Sequence, residues 1–95
     1  MDLVVAASAL KQGVTEAQIE YVIAHCGLVF DEPAPLESTI PYDRSVYLGD
    51  DQRGVALEIA AIGLDNGDLV VVHAMKLRKK YRDRYNEALP YRRLA

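Results

Sequence analysis

Val55–Leu64 reads VALEIAAIGL and Leu69–Leu77 reads LVVVHAMKL. Between them stands Asp65-Asn66-Gly67-Asp68, and Arg78–Tyr85, RKKYRDRY, follows at once. Two apolar runs around a tight turn predict a β-hairpin. Asn66-Gly67 predicts a two-residue type I′ turn, which needs φ > 0 at both central residues. That turn would set the pairing, with Asp65 opposite Asp68, Ile62 opposite Val71, Ala60 opposite His73 and Glu58 opposite Met75. One face of the hairpin then carries Glu58, Ala60, Ile62, Leu64, Leu69, Val71, His73 and Met75. The other carries Leu57, Ile59, Ala61, Val70, Val72 and Ala74, all apolar. Glu58 and His73, the ionisable groups inside the strands, become diagonal neighbours at the open end. A carboxylate beside an imidazole fixes its tautomer and suits it to acid–base work. The plainer reading is a half-buried polar pair that satisfies itself.

The basic segment after the hairpin is expected to be helical from Leu77 or Arg78 until just before Pro90, because the residue preceding a proline resists the α region. Leu77, Tyr81, Tyr85 and Ala88 or Leu89 then form an apolar stripe that reads as core. Arg78–Arg82 and Lys80–Arg84 would be like-charged i,i+4 pairs, each costing about 0.2–0.5 kcal/mol. Asp83 and Glu87 offset part of that charge. Repelling pairs that persist suggest that something anionic meets the helix; a solvated basic face is the alternative.

Upstream, Leu3, Ala6, Ala7 and Leu10 suggest a short helix over residues 3–12. Thr15 followed by Gln18 is a capping-box pattern, and Ile19, Val22, Ile23 and Cys26 recur at helical spacing. This predicts a helix over 15–26 with Gly27 as its stop. His25 falls in the last turn, where it suits the helix dipole better than catalysis. Leu28–Phe30 and Ser45–Gly49 read as strands. The stretch from Asp31 to Asp43, with Pro33, Pro35 and Pro41, reads as a loop, and Asp50–Gly54 as a polar turn. The expected architecture is α+β: one domain over 1–95 with a sheet of about four strands, mostly an antiparallel meander. Both faces of the sheet should be covered, since the hairpin strands are apolar at nearly every position.

Composition narrows the classes of function. Ninety-five residues and 51% apolar content suit a single globular domain. No apolar run is long enough to span a membrane, and the first segment lacks the basic region of a signal peptide. The single cysteine, Cys26, excludes an internal disulfide and points to a reducing cytoplasm. His25, Cys26 and His73 are too few and too scattered for a zinc site, and no nucleotide-binding glycine motif occurs, so no cofactor is expected. The net charge of −3 hides an asymmetry: residues 76–95 hold eight of the eleven Lys and Arg and only two of the fourteen Asp and Glu. A basic end on an acidic body suits a polyanion or an acidic partner.

Several short motifs, in chain order, resemble the BrnT family of small bacterial ribonuclease toxins. They are Lys11-Gln12-Gly13-Val14, Val29-Phe30-Asp31-Glu32-Pro33, Tyr47-Leu48-Gly49, Arg53-Gly54, Ala74 and the basic run from Lys76 to Tyr85. Gln12 stands where that family has His. Val72-His73-Ala74-Met75 stands where it has Ile-Ser-Ala-Arg, so its Arg is missing and His73 or Lys76 would have to replace it. The resemblance implies a RelE-like fold and an mRNA endonuclease neutralised by a cognate antitoxin. It implies Lys, Arg and Tyr side chains that orient the 2′-hydroxyl for attack on the adjacent phosphate. On that pattern His73 or Glu58 is the candidate base. Arg78, Lys79, Lys80, Arg82 and Arg84 are candidate phosphate contacts. Tyr81 or Tyr85 would donate a proton or stack on a base. Two further classes fit the same residues: a catalytically silent module that binds a protein partner or a second copy of itself, and an RNA binder without chemistry.

Overall fold

The computed structural model describes residues 2–26, 28–34 and 42–87. Its elements are β1 (Leu3–Val5), a 3₁₀ turn (Ala7–Leu10), α1 (Glu16–His25), β2 (Leu28–Glu32), β3 (Arg44–Asp50), β4 (Ala56–Gly63), β5 (Leu69–Lys76), a second 3₁₀ turn (Lys79–Tyr81) and α2 (Arg82–Glu87). The fold is α+β. A five-stranded mixed sheet in the order β1-β5-β4-β3-β2 is antiparallel throughout except at β1, which runs parallel to β5.

The fifth strand corrects the expected helix over residues 3–12. Leu3, Val4 and Val5 pair with Leu69, Val70 and Val71. The β-branched pair Val4-Val5 favours an extended backbone. Only Ala7–Leu10 coils, and Ala9 of that turn is fully buried. The helical spacing of Leu3, Ala6, Ala7 and Leu10 was a coincidence of small apolar residues beside a waiting sheet edge.

The capping box of α1 forms as expected. Thr15 Oγ1 accepts from the Gln18 backbone N–H at 3.2 Å, and Gln18 Oε1 accepts from the Thr15 N–H at 2.8 Å. Ile19 and Val22 are fully buried against Leu57, Ile59, Ala61, Val71 and Ala74. Each such side chain contributes about 1.5–3 kcal/mol. The imidazole Nδ1 of His25 lies 2.9 Å from the Tyr21 carbonyl, as suits a last-turn donor. Cys26 packs at the margin of this core, and burial pushes its thiol pKa up. The helix lies close to the sheet because Gly49 of β3 has no side chain. A Cβ there would come within 3.0 Å of the Cys26 Cβ. Gly27 lies outside the described residues.

The opposite face holds a second core of Val46, Leu48 and Tyr81, with Leu28, Phe30, Leu77 and Tyr85 against it. Both faces are therefore covered. Leu77, Tyr81 and Tyr85 all pack on this face, Tyr81 buried and the other two partly buried, but not as one helical stripe, because Leu77 precedes the helical segment. Ala88 and Leu89 lie outside the described residues. The helical segment starts later than its sequence suggests. Arg78 is extended, with φ −87° and ψ 158°, and precedes the 3₁₀ turn, so Arg78 and Arg82 are not an i,i+4 helical pair. β2 runs to Glu32, two residues beyond its expected end.

The hairpin turn also differs. Among the described residues, Asn66 included, none but glycine has positive φ, which excludes a type I′ turn at Asn66-Gly67. The loop is Asp65–Gly67, closed by hydrogen bonds from Leu64 N to Asp68 O and from Gly67 N to Leu64 O, with Gly67 at φ +91°. This is the three-residue loop in which a left-handed glycine follows a turn. It shifts the pairing near the turn by one residue, so that Ile62 opposes Val70 and Ala61 opposes Val71. Leu69 and Val71 consequently share the face of Leu57, and Val70 shares that of Ile62, the reverse of the two-residue expectation. A bulge then leaves Val72 without a partner and restores Ala60 opposite His73 and Glu58 opposite Met75.

Candidate functional site

β4 carries Glu58 into the centre of the face covered by the C-terminal segment, where it is fully buried. A carboxylate so placed needs partners for both oxygens. His73 of β5 supplies one, its Nε2 lying 2.9 Å from Oε2. Arg78 supplies the rest: its backbone N–H donates to Oε1 at 2.8 Å, and its Nε lies 3.0 Å from Oε1 and 2.9 Å from Oε2. Its Nη2 closes the set at 2.6 Å from Oε2. Burial pushes the Glu58 pKa up, but the bonds from His73 and Arg78 outweigh it and hold the group down at about 2. The carboxylate is therefore ionised and accepts only, so His73 carries a proton on Nε2. Its Nδ1 has no hydrogen-bond partner among the described residues, and the His73 side chain is 29% exposed.

The pair expected from the hairpin is thus brought together, with a division of labour the sequence did not disclose. Glu58 is sealed and fully bonded, which suits it to orient His73 rather than to take a proton from a substrate. Arg78 is chiefly a partner of Glu58, which raises the guanidinium pKa through their hydrogen bonds. Nη1 of Arg78 is left over, on a side chain that is 42% exposed.

The other expected residues divide by location. Lys76 pairs in register with Leu57 and so projects to the α1 face, where it borders a cleft of about 620 Å³ with Arg53 and Gln52. The sheet separates it from Glu58 and His73, and it cannot stand in for the missing Arg beside them. The Tyr81 hydroxyl donates to both oxygens of Glu32, at 2.9 and 2.7 Å, and that of Tyr85 donates to Asp50. Burial and the neighbouring Glu32 carboxylate push the Tyr81 pKa upward. Both phenols are committed to sheet carboxylates and read as anchors of the helical segment. The Lys80 ammonium lies 4.7 Å from the centre of the Tyr81 ring, and the Arg84 guanidinium 4.0 Å from that of Phe30. Lys79 and Arg82 are exposed and make no ion pair among the described residues.

Sequence reasoning missed Asp51, which ties α1 to the turn between β3 and β4. Its Oδ1 accepts from the backbone N–H groups of Arg53 and Val55 at 2.8 and 2.9 Å. Its Oδ2 accepts from Gln18 Nε2 at 2.8 Å, the foremost of the bonds that lower its pKa. An Asp two residues before Arg53-Gly54 was the available signal, since such a side chain bonds backbone N–H groups ahead of it. Among the described residues no helix is long and apolar enough to cross a membrane. No protein-family model, no curated protein and no solved structure matches this chain.

Proposed function

We propose that the protein is a ribonuclease of the toxin type, cleaving RNA by attack of a 2′-hydroxyl on the adjacent phosphate, with His73 as general base. The observation that carries this reading is the partly exposed imidazole of His73, held through Nε2 by a sealed, ionised carboxylate with Nδ1 unengaged. In the neutral ring Nδ1 has a lone pair to receive the 2′-hydroxyl proton. The 2′-oxygen then bonds to phosphorus and the bond from phosphorus to the 5′-oxygen breaks. The products are a 2′,3′-cyclic phosphate and a 5′-hydroxyl, the latter taking up the proton from the imidazolium.

The charge that builds on the phosphate oxygens in this step needs cations. Arg78 Nη1 is the nearest candidate, because Arg78 and His73 meet the same oxygen of Glu58. The exposed Lys79 and Arg82 follow it in the chain and suit the flanking phosphates. The same cations suit an acidic antitoxin, the partner implied for a toxin of this kind.

Induced expression in a bacterial host tests the reading. Wild-type protein should arrest growth, and His73→Ala, at equal abundance, should relieve the arrest. Normal growth with wild-type protein well expressed contradicts it.

A further inference from the structure

Between β2 and the C-terminal helical segment lies a cleft of about 340 Å³ that the proposed chemistry does not use. Its walls are Phe30 and Tyr81, whose rings stand 5.9 Å apart and tilted by 55°, with Lys80 and Arg84 set over them. Tyr81 is only 6% exposed and Arg84 already lies on Phe30, so a planar group entering here meets the outer face of the Arg84 guanidinium, a surface that stacks on unpaired bases. The carboxylate of Glu32 lines the same space. It accepts the single Tyr81 hydroxyl proton, and the two oxygens of a carboxylate offer about four lone-pair sites, so capacity for further donors remains. Asp31 at the rim already accepts from Ser45 Oγ at 3.3 Å.

The cleft lies on the same side of the sheet as the dyad. The Tyr81 ring is 5.8 Å from the Arg78 guanidinium, which in turn grips the Glu58 that holds His73. Among the four bases, guanine presents two adjacent N–H donors on its Watson–Crick edge, N1–H and the 2-amino group, matching the two oxygens of a carboxylate. Adenine and cytosine set an acceptor beside their amino group, and uracil flanks its single N–H with two acceptors. Either acceptor would face Glu32 unfavourably.

We infer that this cleft is a nucleobase subsite selecting an unpaired guanine next to the cleaved phosphate, stacked on the Arg84 guanidinium that Phe30 backs and read by Glu32. The inference rests on the ribonuclease reading for the meaning of the site, but binding tests it without cleavage. Titration of the wild-type protein with guanosine, inosine and uridine 5′-monophosphates, followed by amide NMR, is the experiment. Guanosine monophosphate should shift the Phe30, Glu32, Tyr81 and Arg84 amides saturably. Inosine monophosphate, lacking the 2-amino group, should bind about tenfold more weakly, and uridine monophosphate weaker still. Glu32→Gln should erase the difference between guanosine and inosine. Equal affinities for the three, or shifts that avoid these residues, overturn the subsite. Guanosine binding without RNA cleavage would leave the subsite standing and remove the ribonuclease reading; cleavage without guanosine preference would do the reverse.

Discussion

His73 Nε2 meets Glu58 Oε2 at 2.9 Å because a bulge at Val72 cancels the one-residue offset introduced by the loop at Gly67. Neither feature alone would set the two side chains on one face at adjacent rungs. The loop hands Val71 to the α1 core and the bulge returns His73 to the face of Glu58, so the hairpin serves both layers.

Glu58→Gln should destabilise the fold by about 3–5 kcal/mol, since it removes the charge that Arg78 and His73 are arranged around and leaves a guanidinium facing a neutral amide. Urea denaturation followed by circular dichroism measures this. A loss under about 1 kcal/mol would mean that the buried cluster is easily re-solvated.

Acid should expose the same linkage. The Glu58 carboxyl falls from an ordinary value of 4.5 to about 2 in the fold. A depressed carboxylate contributes stability that is fully present above its unfolded pKa and is lost as pH falls through its folded one. The contribution, on the order of 3 kcal/mol, should therefore disappear between about pH 4.5 and pH 2. Unfolding free energies measured across that window should slope steeply for the wild type and less steeply for Glu58→Gln.

Gly49→Ala should cost about 1–3 kcal/mol, because the new methyl meets the Cys26 Cβ at 3.0 Å and its Cα at 3.2 Å. Backbone at the end of α1 has little room to retreat from β3. A variant whose melting temperature matches the wild type would show that α1 does not seat closely on β3 at Gly49.

Lys79→Ala and Arg82→Ala should leave stability within about 0.5 kcal/mol, because both residues are exposed and unpaired among the described residues. Each should weaken RNA binding and shallow its salt dependence by about one phosphate contact. Fluorescence anisotropy at several salt concentrations reads both effects. An unchanged slope would remove these residues from the RNA path.

The open end of the hairpin was legible in the sequence because Asn66-Gly67 and the two apolar runs leave few registers, and Glu58 with His73 stands out as the polar content of the strands. The closed end was not. Glycine supplies positive φ in two-residue and three-residue loops alike, so the dipeptide does not choose between them, and a bulge at Val72 carries no local mark. β1 was hidden for a different reason: three residues pair only because β5 offers a free edge, which is tertiary information. Arg78 read as the start of a basic helix. What stops the helix there is Glu58, twenty residues earlier, drawing both its backbone N–H and its guanidinium into the sheet.

In the proposed reaction His73, oriented by Glu58, removes a 2′-hydroxyl proton. Incubation of the purified protein with an end-labelled RNA, alongside an otherwise identical strand carrying 2′-deoxy residues, tests it most directly. The RNA should yield fragments ending in 2′,3′-cyclic phosphate with no cut at deoxy positions, and His73→Ala should lose at least about a hundredfold in rate. Cleavage at deoxy positions, or a His73→Ala protein that cuts as fast as the wild type, would contradict it.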